Sequence, residues 1–310
     1  MNSLAVVNAG NVQPQAVTGS LFTGFINFLD ASPKTVETYT KSLRAFFRWL
    51  SERGITQPQF MDVKAYRDEL LSNYKASTVQ AYIFVVRRFF EWTESAGLYP
   101  NVAGKLKGAK LNRDFKKDYL TSAQVRDVLG GIDASSLQGM RDKAIVSLMV
   151  ACGLRDIEVS RANVEDLRTV GDNTVLYLQG KGRDERSEFV IVPQAVERVI
   201  RAYLKARGEA EGAEALFISL SNNSRGKRMT TRSISGICKA AMRDAGFDSE
   251  RLTAHSLRHT AVTLALIGGA TAQEAQQFAR HKSIATTMIY SHNLEAMKNP
   301  CSGLVADSIF

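Results

Sequence analysis

Cysteine, histidine and long apolar runs are all scarce in this sequence, and each scarcity bears on what kind of protein it encodes. The three cysteines among 310 residues, Cys152, Cys238 and Cys301, are far apart and odd in number. That argues against a disulfide framework and a C-x-x-C metal site, and it fits a reducing compartment. No apolar run approaches the roughly 18 residues that a membrane-spanning helix needs. The opening, MNSLAVVNAGNVQPQAV, lacks the basic start and long apolar core of a secretory signal. The expectation is a cytoplasmic protein with no membrane partner. Acidic residues are outnumbered, 31 against 40 lysines and arginines, which leaves a formal net charge of +9. Such a balance favours a polyanion such as nucleic acid, although many proteins carry it with no such partner. The length allows two domains, and a hydrophobic content of 45% allows ordinary packed cores.

Histidine is both rare and clustered. All four, His255, His259, His281 and His292, fall in or just beyond the stretch from His255 to Tyr290, together with Arg258 and Arg280. His255 and Arg258 are three apart on a predicted helix and share a face. An imidazole and a guanidinium on one face present several N–H donors to a phosphate, and arginine does so with a rigid fork. Tyr290 lies in a short apolar segment, Met288-Ile289-Tyr290, read as a turn.

Residues 1–19 are small and polar, and the pattern turns helical from Leu21. Ser32-Pro33 reads as an N-cap with proline at the first helical position. Val36, Tyr39, Leu43, Phe46, Phe47 and Leu50 follow at spacings of three and four until Gly54. A third helix fits Met61 to Leu71. A fourth, capped by Ser77, carries Val79, Ile83, Val86, Phe89 and Phe90 until Gly97. The second and fourth share A-F-F-R-W-L and R-F-F-E-W-T, either an internal repeat or two similar amphipathic helices. Their opposite faces carry Lys41, Arg44, Arg48, Arg87 and Arg88. Plain solvated faces look alike, but the further lysines and arginines between 105 and 117 extend the pattern into a track for phosphates. The expected organisation is a helical domain over 20–105, a basic linker over 106–119 and a second domain over 120–310.

The second domain opens at Thr121 or Ser122 as a helix cap. A strongly apolar helix from Arg141 stops at Gly153, and Leu154-Arg155-Asp156-Ile157-Glu158 begins the next, with Arg155 and Glu158 on one face. Residues 174–178 and 188–192 read as a β-hairpin with Lys181 at its tip and Arg183 beside it. A helix over Gln194 to Arg207 follows. The basic, hydroxyl-rich segment containing Arg225, Lys227, Arg228 and Arg232 is a loop on the surface or on DNA, leading into a helix from Ser233 to Ala245.

Taken together, G-L-R-D-I-E at 153–158, G-K-G at 180–182, H-S-L-R-H at 255–259, R-H-K-S at 280–283 and T-T-M-I-Y-S-H at 286–292 resemble the tyrosine recombinase, or phage-integrase-type, family. Family members typically have L-G-H where this chain has Ala279-Arg280-His281. The resemblance implies a mainly α fold with a small β-sheet. Its parts are a helical core-site DNA-binding domain and an α+β catalytic domain, together forming a C-shaped clamp on DNA. The two-domain plan, with no further arm-site-binding domain expected ahead of it, is similar to Xer-type recombinases and simpler mobile-element integrases.

The same resemblance implies Tyr290 as nucleophile, with Arg155, Lys181, His255, Arg258 and His281 around the scissile phosphate and Glu158 in support. In this scheme Arg155 and Arg258 clamp the non-bridging oxygens, His281 donates to one of them, His255 helps move the tyrosine's proton and Lys181 protonates the leaving 5′-oxygen. The 3′-phosphotyrosine conserves the bond's free energy, so the chemistry requires neither ATP nor a divalent metal, and no cofactor is expected. The implied partners are double-stranded DNA with a specific site and three further copies of the chain. The tail over 291–310 is expected to pack on a neighbouring protomer or on its own domain. It lacks the basic end expected of Xer-type proteins, which favours integration or excision of a mobile element over chromosome-dimer resolution. More distant alternatives are a type IB topoisomerase and a zinc hydrolase. The latter is suggested by the i,i+4 pair His255 and His259, but the glutamate of H-E-x-x-H is missing.

Overall fold

The computed structural model describes residue 17 and residues 19–110, 118–179, 185–208, 212, 214–297 and 300–309. The chain divides into two compact units, residues 1–113 and residues 114–310. The architecture is mainly helical with one three-stranded sheet, as the resemblance implies.

The first unit is built from α1 (Gly19–Phe28), α2 (Pro33–Glu52), α3 (Phe60–Asn73) and α4 (Ala76–Ser95). Ser32 caps α2, its hydroxyl accepting from the Thr35 amide, and Pro33 occupies the first turn, where an amide proton would have no helical partner. The expected Ser77 cap of α4 is a correction. The amides of Thr78 and Val79 donate to the Lys75 carbonyl, so the extended-to-helical change falls at Lys75 and Ser77 lies inside the first turn. Helices α2 and α4 pack on each other. Phe46 meets Phe90 and Phe25 meets Phe89 edge-on, at centroid distances of 6.0 and 5.6 Å. The edge-to-face arrangement suits the ring quadrupoles.

In the second unit Thr121 is the cap of α5 (Ser122–Gly131), in a reciprocal box with Gln124. Helix α6 (Leu137–Cys152) is buried over most of its length, as befits an apolar sequence with no polar stripe. It ends at Gly153 with φ 58°, where a Cβ would lie 3.0 Å from Phe278 Cε1, so this position excludes side chains twice over. Helix α7 (Asp156–Arg161) follows at once.

The sheet has order β1-β2-β3, all antiparallel: β1 (Leu167–Val170), β2 (Asn173–Leu178) and β3 (Glu188–Ile191). Pairing of Val175 with Ile191 and of Leu178 with Glu188 makes β2 and β3 the expected hairpin. Lys181 and Arg183, expected at its tip, lie outside the described residues. Strand β1 has no counterpart among the sequence expectations, because its four residues are largely exposed and lack the alternation that marks a half-buried strand. Helix α8 (Gln194–Arg207) packs against α6, and α9 (Thr231–Asp244) starts two residues before the expected Ser233 because Thr230 caps it.

Helices α10 (Ala254–Ile267), α11 (Ala272–Ala279) and α12 (Ile284–Met297) pack on one another, and α13 (Cys301–Ile309) ends the described chain. Tyr290 lies within α12 and not in a turn. Its ring joins a small apolar cluster with Val262 of α10 and Ala275 and Ala279 of α11, with Leu266 and Phe278 packed around it. A helix is what turns the tyrosine onto that cluster.

Candidate active site

Two helix ends and one helix face converge where the motif residues meet. Helix α10 carries Arg258 almost wholly buried, at 1% exposure. Its Nη1 donates to the Gly153 carbonyl at 2.5 Å and its Nη2 to the carbonyl of Ala279. These oxygens lie at the C-terminal ends of α6 and α11, where carbonyls have no intrahelical partner and the helix dipole is negative. The buried guanidinium thus ties three segments that are far apart in sequence. Burial first, then the charges of Arg155 and Arg280, lower its pKa to about 9, which leaves it charged at neutral pH.

Arg155 stands at the N-cap of α7. Its amide donates to Glu158 Oε2 at 2.8 Å and its Nη1 to Oε1 at 2.6 Å. Glu158 is fully enclosed, and Arg280 Nη2 donates to the same Oε2 at 2.8 Å. Burial pushes the Glu158 carboxyl up, but the Arg280 charge and the amide bond and charge of Arg155 outweigh it and hold the group below the ordinary glutamate range. The Arg155–Glu158 pair is therefore one part of a larger network rather than a surface i,i+3 ion pair.

The Tyr290 hydroxyl meets His259 Nδ1, and the Tyr290 ring stacks at 14° on His281, 6.2 Å between centroids. His255, exposed on α10, sets its ring edge-on to His259 at 4.5 Å. His281 Nδ1 is 2.8 Å from the Thr287 hydroxyl. Burial first, then Arg258, Arg155, Arg280 and His255, lower the His281 pKa to about 4, so its ring is neutral at pH 7. Burial raises the Tyr290 phenol to about 12, with Arg258 pulling the other way.

The structure thus brings together Arg155, Glu158, His255, Arg258, His281 and Tyr290. Three further participants, His259, Arg280 and Thr287, are not among the residues expected from sequence. His259 and Arg280 stand in view within the motifs, but only folding places one on the tyrosine and the other on Glu158.

Of the residues proposed for DNA, Lys41, Arg44 and Arg48 are exposed on α2 and line one open cavity of about 850 Å³ with Tyr74 and Tyr82. Arg88 is exposed and paired with Glu91 at 3.1 Å, while Arg87 is half-buried. Arg225, Lys227 and Arg232 are exposed. Arg228 is exposed as well, and its guanidinium donates to the carbonyls of Ser160 and Ala162 and to Asn163 Oδ1. The buried thiols serve packing. Cys152 is pushed up to about 12 by burial, and Cys238 lies against Met149 sulfur at 3.4 Å.

Residues 118–297 match the phage integrase family, and residues 23–97 match the phage integrase N-terminal SAM-like domain. Tyrosine recombinase XerC of Corynebacterium glutamicum is 33% identical over 67% of this chain and 65% of its own length, just under two thirds. Tyrosine recombinase XerD of Bifidobacterium longum is 31% identical over 83% of this chain and 86% of its own. In fold, the chain is similar to the XerH site-specific recombinase bound to its palindromic difH substrate after cleavage. The TM-score is 0.76, covering 94% of this chain and 86% of that one at 16% identity.

Proposed function

Because the chain belongs to the phage integrase family of tyrosine recombinases, we propose that it is a site-specific DNA recombinase that cuts and rejoins strands through a 3′-phosphotyrosine at Tyr290. The observation that carries this reading is the meeting of the Tyr290 hydroxyl with His259 beside His281 and the buried Arg258.

A phenol with its pKa raised to about 12 is protonated at neutral pH and needs an acceptor at hand. His259 occupies that place, with the His255 ring as its neighbour. As the Tyr290 oxygen bonds to phosphorus, its proton passes to the histidine pair and the bond from phosphorus to the 5′-oxygen breaks. The proton for the departing oxygen is the part assigned to Lys181. Arg155 and Arg258 face the non-bridging oxygens, whose growing charge is what fixed cations stabilise. His281 is neutral and pairs at Nδ1 with the Thr287 hydroxyl; in the tautomer that accepts there, Nε2 carries the proton and donates it as a hydrogen bond to the phosphate. Two guanidiniums share the one carboxylate of Glu158 while Arg258 is held by backbone carbonyls, which leaves an excess of positive charge that a phosphate completes.

The DNA partner is a duplex with a specific site, held in addition by Lys41, Arg44 and Arg48. Assembly into a tetramer on two duplexes is supported by α13, whose Leu304, Val305 and Ile309 are 63%, 56% and 67% exposed in the single chain. Integration or excision of a mobile element is the biological role we assign. Xer-type resolution is the second reading, favoured by the likeness to XerC and XerD. Short repeats flanking an element beside the gene support the first, and a chromosomal terminus site the second.

To test the chemistry, the protein selects its duplex from a randomised pool, and a nicked version of that duplex is run on a denaturing gel. The parent forms a covalent adduct. Tyr290→Phe keeps binding and forms none, and a persisting adduct would overturn the choice of nucleophile.

A further inference from the structure

Arg280 is the only residue other than glycine with positive φ among the described residues, at 53°. Left-handed backbone disfavours any residue with a Cβ, so something must hold the chain there. Its side chain is 6% exposed and turned inward. The guanidinium donates to the Phe278 carbonyl at 2.9 Å, to Gly153 at 3.2 Å and to Glu158 Oε2 at 2.8 Å. The Gly153 carbonyl also accepts from Arg258, and the Arg280 carbonyl accepts from Arg155 Nη2 at 3.4 Å.

We propose that Arg280 is a positioning residue for strand cleavage. By pinning Glu158 Oε2 it sets the plane of the carboxylate whose other oxygen holds Arg155, while its own carbonyl takes the second arm of Arg155. By sharing the Gly153 carbonyl it fixes the neighbourhood of Arg258, and its left-handed turn sets the direction in which His281 leaves α11. Its Nη atoms are taken by Phe278, Gly153 and Glu158, and it acts through these groups. This rests on the reading of Arg155, Arg258 and His281 as phosphate ligands.

The test uses the full chain, its selected duplex in nicked form and single-turnover cleavage at saturating protein. Arg280→Met is expected to cleave about 10²-fold more slowly, the order of loss that a small misplacement of reacting groups produces, with half-site affinity unchanged. Arg280→Gly relaxes the backbone yet removes the guanidinium, so it should be as slow as Arg280→Met. Arg280→Lys keeps the charge without the fork and should recover part of the rate. Because Arg280 acts in large part through Glu158, the double variant Glu158→Gln/Arg280→Met should be slower than Glu158→Gln by less than the loss that Arg280→Met causes in the parent.

Parent-like cleavage by Arg280→Gly or Arg280→Met, or losses that multiply in the double variant, overturn the proposal. If Arg280→Met does not fold, as loss of half-site binding would show, the glycine and lysine variants decide. An adduct formed by Tyr290→Phe would bring down the underlying reading and this proposal with it. Tyrosine-dependent cleavage at the parent rate in Arg280→Gly sinks this one alone.

Discussion

Replacing Glu158 by glutamine keeps the shape of the side chain and removes the charge that two guanidiniums share. Glu158 is 0% exposed and Arg280 is 6% exposed, whereas Arg155 is 30% exposed. The Arg280 pair therefore carries most of the energetic cost, and the wetter Arg155 pair is discounted for solvent screening. Breaking a buried pair by removing one partner costs about 3–5 kcal/mol. The glutamine amide still accepts a hydrogen bond, which points to about 3 kcal/mol, the lower end of that range. In a unit of this size each kcal/mol moves the melting temperature by about 2–4 °C, so a fall of about 6–12 °C is expected at neutral pH. The pH dependence supplies an independent check. The folded pKa of Glu158 lies below its ordinary value of 4.5, so the stabilisation is complete above that value and is lost as pH falls through the lower folded one. The gap between parent and Glu158→Gln should stay level near neutrality and close in acid. Scanning calorimetry of the full chain over a pH series measures it. A variant melting within about 1 °C of the parent at neutral pH, below the range worked from, or a gap that persists in acid, would refute the network as drawn.

Lys181→Ala should cleave a substrate with sulfur in place of the bridging 5′-oxygen nearly as fast as the parent, because that leaving group departs unprotonated. On oxygen it should lose about 10²–10⁴-fold, and equal losses on both rule out the acid role. Changing Lys41, Arg44 and Arg48 together to alanine should flatten the dependence of log affinity on log salt by about 3; an unchanged slope removes the α2 face from the DNA interface. Deleting the chain from Asn299 onward takes away α13 and its exposed apolar side chains. Gel shifts should then show a single half-site still bound and cooperativity weakened, and unaltered cooperativity shows that the tail is no assembly element.

What can be read from the sequence is what neighbours in the chain decide among themselves. The Ser32 cap, the stop at Gly153 and helix α8 over Gln194–Arg207 depend on hydrogen bonds and apolar spacing within three or four residues. The motif residues are legible as well, because the chemistry of phosphate transfer restricts which side chains serve it. The cap of α4 and strand β1 are not, since Ser77 looks as good a cap as any serine and β1 lacks alternation. What only the tertiary structure decides is which of these residues meet. Arg280 reaches Glu158 across 122 positions, Arg258 reaches Gly153 across 105, and His259 reaches Tyr290 across 31. Arg228, basic and in a loop, reads as a DNA contact, and nothing local to it shows that folding also brings Ser160, Ala162 and Asn163 to its guanidinium. No local propensity encodes such pairings. They follow from how α6, α10, α11 and α12 pack, and packing is set by the burial of apolar faces over the whole unit rather than by any one segment.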